Sequence, residues 1–269
     1  MMLPTGLTAA LALLPGLGSQ RTVSTTRSGA TSPLQSVASA LTSFGFGGTT
    51  SVGVGSEALA TLREVALIAR DLSPVLPDAL PGDDVVVLVH GFMASAGVFR
   101  PMRARLERDA HARVATFTHA PGAGVKRIAR QLSDLVARIP QGTRIHIVGH
   151  SLGGVVARWF VQELRGHARV VQTISLASPF GGVEVVPLFV GADLQPASKV
   201  LERVRQRAHA FDVPHTSIIA GDDRTVLGRK SATFPHGDAI VLEGRGHNSL
   251  LFDDEVAHIV IERIRRQRT

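Results

Sequence analysis

A predominantly parallel α/β sheet with helices on both faces is the fold this sequence predicts, and three observations predict it. From Asp83 onward, short apolar runs alternate with stretches of helical spacing, the mark of strand–helix–strand units. The run VVVLV (85–89) is continuously apolar, as a strand buried on both faces requires. Finally, 269 residues with 44% apolar and only 19% charged side chains can bury a large core, which excludes a globally disordered chain.

The elements follow in order. After strand 85–89 come a helix over about 96–109, the strand RVATF (113–117), a helix over about 124–138 and the strand RIHIV (144–148). A helix from Leu152 to about Arg165 leads to the strand VVQTISLA (170–177), an irregular apolar stretch and a helix over about 196–210. HTSIIA (215–220) and AIVLE (239–243) are the last strands, and DEVAHIVIERIRRQ closes the chain as a helix. Ahead of this domain (83–269), residues 1–82 read as an N-terminal extension packed partly on it. Its apolar start, LTAALALLPGL, is a candidate signal-peptide core that lacks a preceding basic residue and a cleavage site, and it is too short and broken for a spanning helix. PLQSVASALTSF (33–44) has helical spacing, GFGGTTSVGVGS (45–56) reads as a flexible loop, and EALATLREVALIARDL (57–72) reads as a helix stopped at Ser73-Pro74.

Composition narrows the function classes. No cysteine is present, which excludes disulfides, thiolate metal sites and a cysteine nucleophile. The net charge of +7 is scattered and aromatics are only 4%, so nucleic-acid binding is not expected. Peripheral contact with an anionic membrane surface stays open beside the ordinary reading of a solvated basic surface. The localisation is undetermined, with a cytoplasmic or membrane-associated protein favoured and secretion open. The arginines 263, 265, 266 and 268 are expected to complement the negative end of the closing helix.

In a parallel sheet, functional groups lie past the carboxyl ends of the strands. After strand 144–148 comes GHSLG (149–153), a G-x-S-x-G between a strand and a helix. So sharp a reversal strains the bend residue, and Gly149 and Gly153 give the backbone room to approach itself. Ser151 then projects its oxygen at the sheet's mouth, near the positive end of the next helix. A serine hydroxyl needs a base. Of the eleven histidines, His247 directly follows the last strand and so shares Ser151's edge. His236 lies at the opposite edge, His146 sits inside a strand, His258 rides the closing helix and His150 points elsewhere in the turn. The imidazole needs a carboxylate to fix its tautomer. Asp222 and Asp223 follow the penultimate strand, with Asp223 favoured and Asp222 the alternative acid. Two N–H donors must meet the developing oxyanion. Leu152 supplies one, and Phe92, after the turn-permitting Gly91, is placed to supply the other.

In this order, VHGF, GHSLGG, GDDRTV and GHNSLL resemble the α/β-hydrolase superfamily, and within it the bacterial lipases and esterases, over residues 83–269. The resemblance implies a Ser151–His247–Asp223 triad with Phe92 and Leu152 as oxyanion donors, and a short cap before the strand at 215. Many such lipases carry Thr-Pro-His-x-Gly after the strand at 170, where this chain has ASPFGG (177–182). The apolar stretch 183–194 could shield the site, and Val185, Val186, Leu188, Phe189 and Val190 are acyl-pocket or core candidates alike. Trp159 reads as core. The expected activity is hydrolysis of carboxylic esters of acyl lipids, with no metal or other cofactor. An acyltransferase or thioesterase on the same triad, and a non-catalytic binding protein, are the alternatives.

Overall fold

The computed structural model describes residues 53–184 and 192–268, so the apolar start, the 33–44 spacing and the side chains 185–190 lie outside the described residues. Six strands form one sheet: β1 (Asp84–Val89), β2 (Arg113–Thr116), β3 (Arg144–His150), β4 (Val170–Leu176), β5 (His215–Ala220) and β6 (Asp238–Leu242). Their spatial order is β2-β1-β3-β4-β5-β6, and every pair is parallel. The chain passes from β1 to β2 on one side and then places β3 on the other side of β1. By the general rule for open α/β sheets, that reversal marks the carboxyl ends of β1 and β3 as the place for a site.

The helices divide between the two faces as the alternation of side chains demands. Val85, Val87, Val89, Ile145 and Ile147 point toward α3 (Val125–Ala137), α4 (Leu152–Glu163) and α5 (Lys199–Gln206). Val86, Leu88, Val114, Val148 and Ile174 point toward α2 (Arg100–Asp109) and α7 (Asp254–Arg266). All five side chains of the run 85–89 are fully buried, because each face of β1 meets helices. α6 (Arg229–Ala232) is a single turn between β5 and β6.

The first described helix, α1 (Gly53–Leu67), differs from the sequence expectation at both ends. It runs back through GVGS, since each added residue of a started helix gains a hydrogen bond at little cost. It stops five residues early because another loop takes its last carbonyls. Ser95 Oγ donates to Leu67 O (3.2 Å) and Arg70 O (2.9 Å), and Asp71 turns the chain with φ 53°. Beside it, Gly97 lies so close to Arg70 that a Cβ there would sit 2.9 Å from the Arg70 carbonyl.

The closing arginines Arg263, Arg265 and Arg266 lie in the last turn of α7, as expected, and several of the group also reach across the fold. Arg268 bonds Asp84 and the Ala110 carbonyl, Arg263 pairs with Asp238, and Arg265 donates to Asp109 O. Asp84 is 3% exposed at the start of β1 and also receives Arg144 (2.8 and 3.0 Å) and His146 Nε2 (3.0 Å). Burial alone would raise its pKa, but these three partners hold the carboxyl well below the ordinary range.

Because that pKa is depressed by folding, the stabilisation Asp84 supplies is complete above the usual carboxylate range and is lost as pH falls through it. Asp84→Ala is therefore expected to lower unfolding free energy by about 3 kcal/mol at neutral pH, with a smaller loss at pH values near 3, as urea melts at the two pH values would show.

Candidate active site

β3 continues to His150, paired with Leu176 of β4, and the chain then reverses into α4 within one residue. Ser151 is that residue, with φ 52° and ψ −121°. A non-glycine residue held at positive φ costs about 1–3 kcal/mol, which the surroundings must over-determine. They do so through close approach. The Ser151 N–H donates to Leu176 O (2.8 Å), and a Cβ on Gly153 or Gly149 would land within the backbone of Val89 or of Gly153 and Gly154. Only glycine fits at either position, and Ser151 thereby stands at the start of α4.

Gly91, which the sequence reading gives as permitting the turn, is also constrained by its neighbours. Its φ lies outside the positive region. It is small because a Cβ would come 3.1 Å from His150 Nδ1 and 3.2 Å from Ser151 Cβ. The loop 90–92 therefore lies directly against the serine turn. The positive φ falls instead on the exposed Met93, at 58°. Phe92 is half-buried with its ring on the core, and Leu152, 3% exposed, opens α4.

His247 lies in the loop after β6 and Asp223 in the loop after β5. The structure sets His247 Nδ1 2.8 Å from Asp223 Oδ2, with the imidazole N–H donating. Asp223 Oδ1 accepts the Thr225 and Val226 amides at 2.7 and 2.8 Å, so both carboxylate oxygens are held. The alternative acid, Asp222, has its backbone N–H on Arg245 O (2.9 Å), part of the turn that joins the β5 and β6 loops. With Nδ1 donating, neutral His247 carries its lone pair on Nε2. His150 links this histidine to the serine turn, its Nε2 donating to His247 O at 3.2 Å with the rings 4.9 Å apart.

The electrostatics follow from burial set against these partners. Burial works to lower the pKa of His247, but Asp223 outweighs it with its charge and hydrogen bond, helped by Glu57 and Glu64, and the net shift is upward. For Asp223, burial pushes up, while His247 and the two amides pull further down. His150 is lowered to about 3 by burial and by the neighbouring imidazolium, so it stays neutral. His90, stacked on His119 with centroids 3.8 Å apart, is likewise lowered to about 3 by burial and His119.

Two carboxylates that the motif reading passed over come from α1. Glu57 accepts the amides of Asn248 (2.8 Å) and Ser249 (3.0 Å), and Glu64, which burial pushes up to about 7, acts on His247 by charge. No local signal marks them, because 191 residues separate Glu57 from Asn248. His146 and His258 are accounted for elsewhere: His146 bonds Asp84 and Gln172, while His258 is exposed on α7. Among the described residues, no group of three or more histidine or carboxylate side chains could hold a metal ion, and no helix is long and apolar enough to cross a membrane.

A parallel sheet with a strained serine turn at its switch point and a carboxylate-held histidine past its last strand defines an α/β-hydrolase. Residues 85–234 match the sequence model of the palmitoyl protein thioesterases, and the chain belongs to that family. Solved structures agree on the fold. A mature Bacillus licheniformis lipase superposes with a TM-score of 0.60 at 14% identity, covering 70% of this chain and 94% of its own. Aspergillus fumigatus lipase B gives 0.58 at 16% identity over 72% and 56% of the two chains. A malate-bound esterase from Thermogutta terrifontis gives 0.52 at 16% identity over 73% and 98%. Among curated proteins, no sequence matches.

The raised pKa has a direct readout. In a pH titration of the His247 ring by NMR, the midpoint is expected above 6.5, and Asp223→Asn is expected to move it downward by removing the paired charge.

Proposed function

We propose that the chain is a serine hydrolase of acyl esters, acting through Ser151, His247 and Asp223. Family and fold support ester hydrolysis in general. What carries the finer reading is the 2.8 Å bond from His247 Nδ1 to Asp223 Oδ2, on a histidine whose carbonyl is tied to the residue beside the strained Ser151.

In this mechanism neutral His247 takes the Ser151 hydroxyl proton on Nε2 as the serine oxygen attacks the acyl carbonyl. The N–H groups of Leu152 and Phe92 meet the oxyanion, the first aided by the positive end of α4. Asp223 holds the tautomer and stabilises the imidazolium. As the tetrahedral intermediate collapses, the proton on Nε2 passes to the departing oxygen or sulfur. The acyl group stays on Ser151 Oγ. Water, deprotonated by His247, attacks the acyl-enzyme. The carboxylic acid leaves and Ser151 recovers its proton, so no metal or organic cofactor is called for.

The family assignment favours a second reading within this chemistry, in which the scissile bond is a thioester rather than an oxygen ester. The triad serves both, since only the leaving atom differs. A panel of p-nitrophenyl esters from acetyl to palmitoyl, run beside acyl-coenzyme A thioesters of matching length, separates them by kcat/KM.

Wild type is expected to turn over long-chain substrates and to be labelled by a fluorophosphonate at Ser151. Ser151→Ala is expected to lose on the order of 10⁴-fold or more in kcat and all labelling. Equal turnover by wild type and Ser151→Ala would remove Ser151 from the mechanism.

A further inference from the structure

We infer that Glu57, on α1 in the segment ahead of the hydrolase motifs, is a positioning residue for His247, its carboxylate clamping the backbone on both sides of that histidine. The inference rests on the serine-hydrolase reading above and deepens it.

The geometry is specific to this pair of segments. One Glu57 oxygen accepts the Asn248 amide at 2.8 Å and the other the Ser249 amide at 3.0 Å. On the other side of His247, the carboxylate lies against Gly246, where a Cβ would meet Glu57 Cδ at 2.7 Å. Gly246 is therefore the side-chain-free position that admits Glu57. The residues just past His247 enter a one-turn helix, Ser249–Leu251, whose N-cap residue Asn248 makes no side-chain capping bond. The first amides of a helix need acceptors. Glu57 supplies them from a distant helix, where most helices use a neighbouring side chain. One turn along α1, Thr61 Oγ1 accepts from Asn248 Nδ2 at 3.5 Å and donates to the Glu57 carbonyl at 2.9 Å.

The clamp acts on the base in two ways. It fixes the backbone that aims the imidazole, and it adds a negative charge that favours the imidazolium formed in the transition state. The titratable and charged groups facing His247 are Asp223 from the β5 loop, Glu57 and Glu64 from α1, and His150 from the serine turn. Arg245, two residues earlier, is occupied by Asp253 and Glu255. A cap that served only to fold the loop would change stability without changing the base.

Glu57→Gln keeps the shape and one acceptor while removing the charge. On any ester or thioester that wild type turns over, kcat is expected to fall about 10- to 100-fold with KM within about twofold. Glu64→Gln as a common background removes the neighbouring titration. There, Glu57→Gln is expected to move the acid limb of kcat/KM to lower pH, because the imidazolium has lost a favourable charge. A kcat within about twofold of wild type, or an unmoved acid limb, would overturn the inference.

If wild type cleaves no ester or thioester, the hydrolase reading fails by itself, and the His247 ring titration by NMR still tests the clamp. A downward shift in Glu57→Gln supports it and an unmoved midpoint overturns it. Should the variant not fold, hydrogen exchange in wild type decides, since slow exchange of the Asn248 and Ser249 amides supports the clamp and exchange at the rate of free loops overturns it.

Discussion

The bend at Ser151 is the constraint on which the rest of the structure depends. To stand at the carboxyl edge of the sheet, the serine must hold φ 52° while β3 turns into α4 without a connecting loop. Nothing local stabilises that conformation, so three neighbouring backbones have to close around it. Gly149 and Gly153 admit this closure, with Val89 of β1 on one side and Leu176 of β4 on the other. The strain is thus held by the centre of the sheet, its most buried part. A side chain on such a support is held in place before any ligand arrives, which is what preorganisation requires.

The histidine is held differently. His247 sits on a loop after a strand at the sheet's edge, and loops of that kind are mobile unless tied. Here the ties come from three directions: Asp223 on the ring, His150 on the carbonyl, and Glu57 on the two following amides, with Gly246 of the loop lying against the same Glu57 carboxylate. The rigid and the tethered half of the site meet at His150, whose neutral ring spans them. The charge pattern around His247 is correspondingly one-sided, with the carboxylates of Asp223, Glu57 and Glu64 acting on a buried imidazole.

At the opposite end of the sheet, Asp84 gathers Arg144, His146 and Arg268. It fixes the start of β1 to β3 and to the end of the last helix. The two ends of the sheet thus differ, with the Asp84 ion cluster at the amino ends of the strands and Ser151, Asp223 and His247 past the carboxyl ends.

Much of this was legible in the chain. The run VVVLV could only be a strand covered on both faces, and strand–helix alternation with GHSLG between them located the serine turn, because these patterns are local and set by periodicity. His247 and Asp223 were reachable by one further rule, that a parallel sheet gathers the ends of its strands at one edge. The tertiary structure alone decided what no spacing encodes. Gly91 makes room for His150 and Ser151 beside it. Besides ending their own helix, the last arginines cross the fold to Asp84 and Asp238. α1 ends where Ser95 takes its carbonyls, and its Glu57 reaches the histidine loop. The physical reason is common to the last three. Periodicity reports which face of an element is buried, whereas a polar group's partner is fixed only when distant segments have packed and an unsatisfied donor or acceptor would otherwise be left among them.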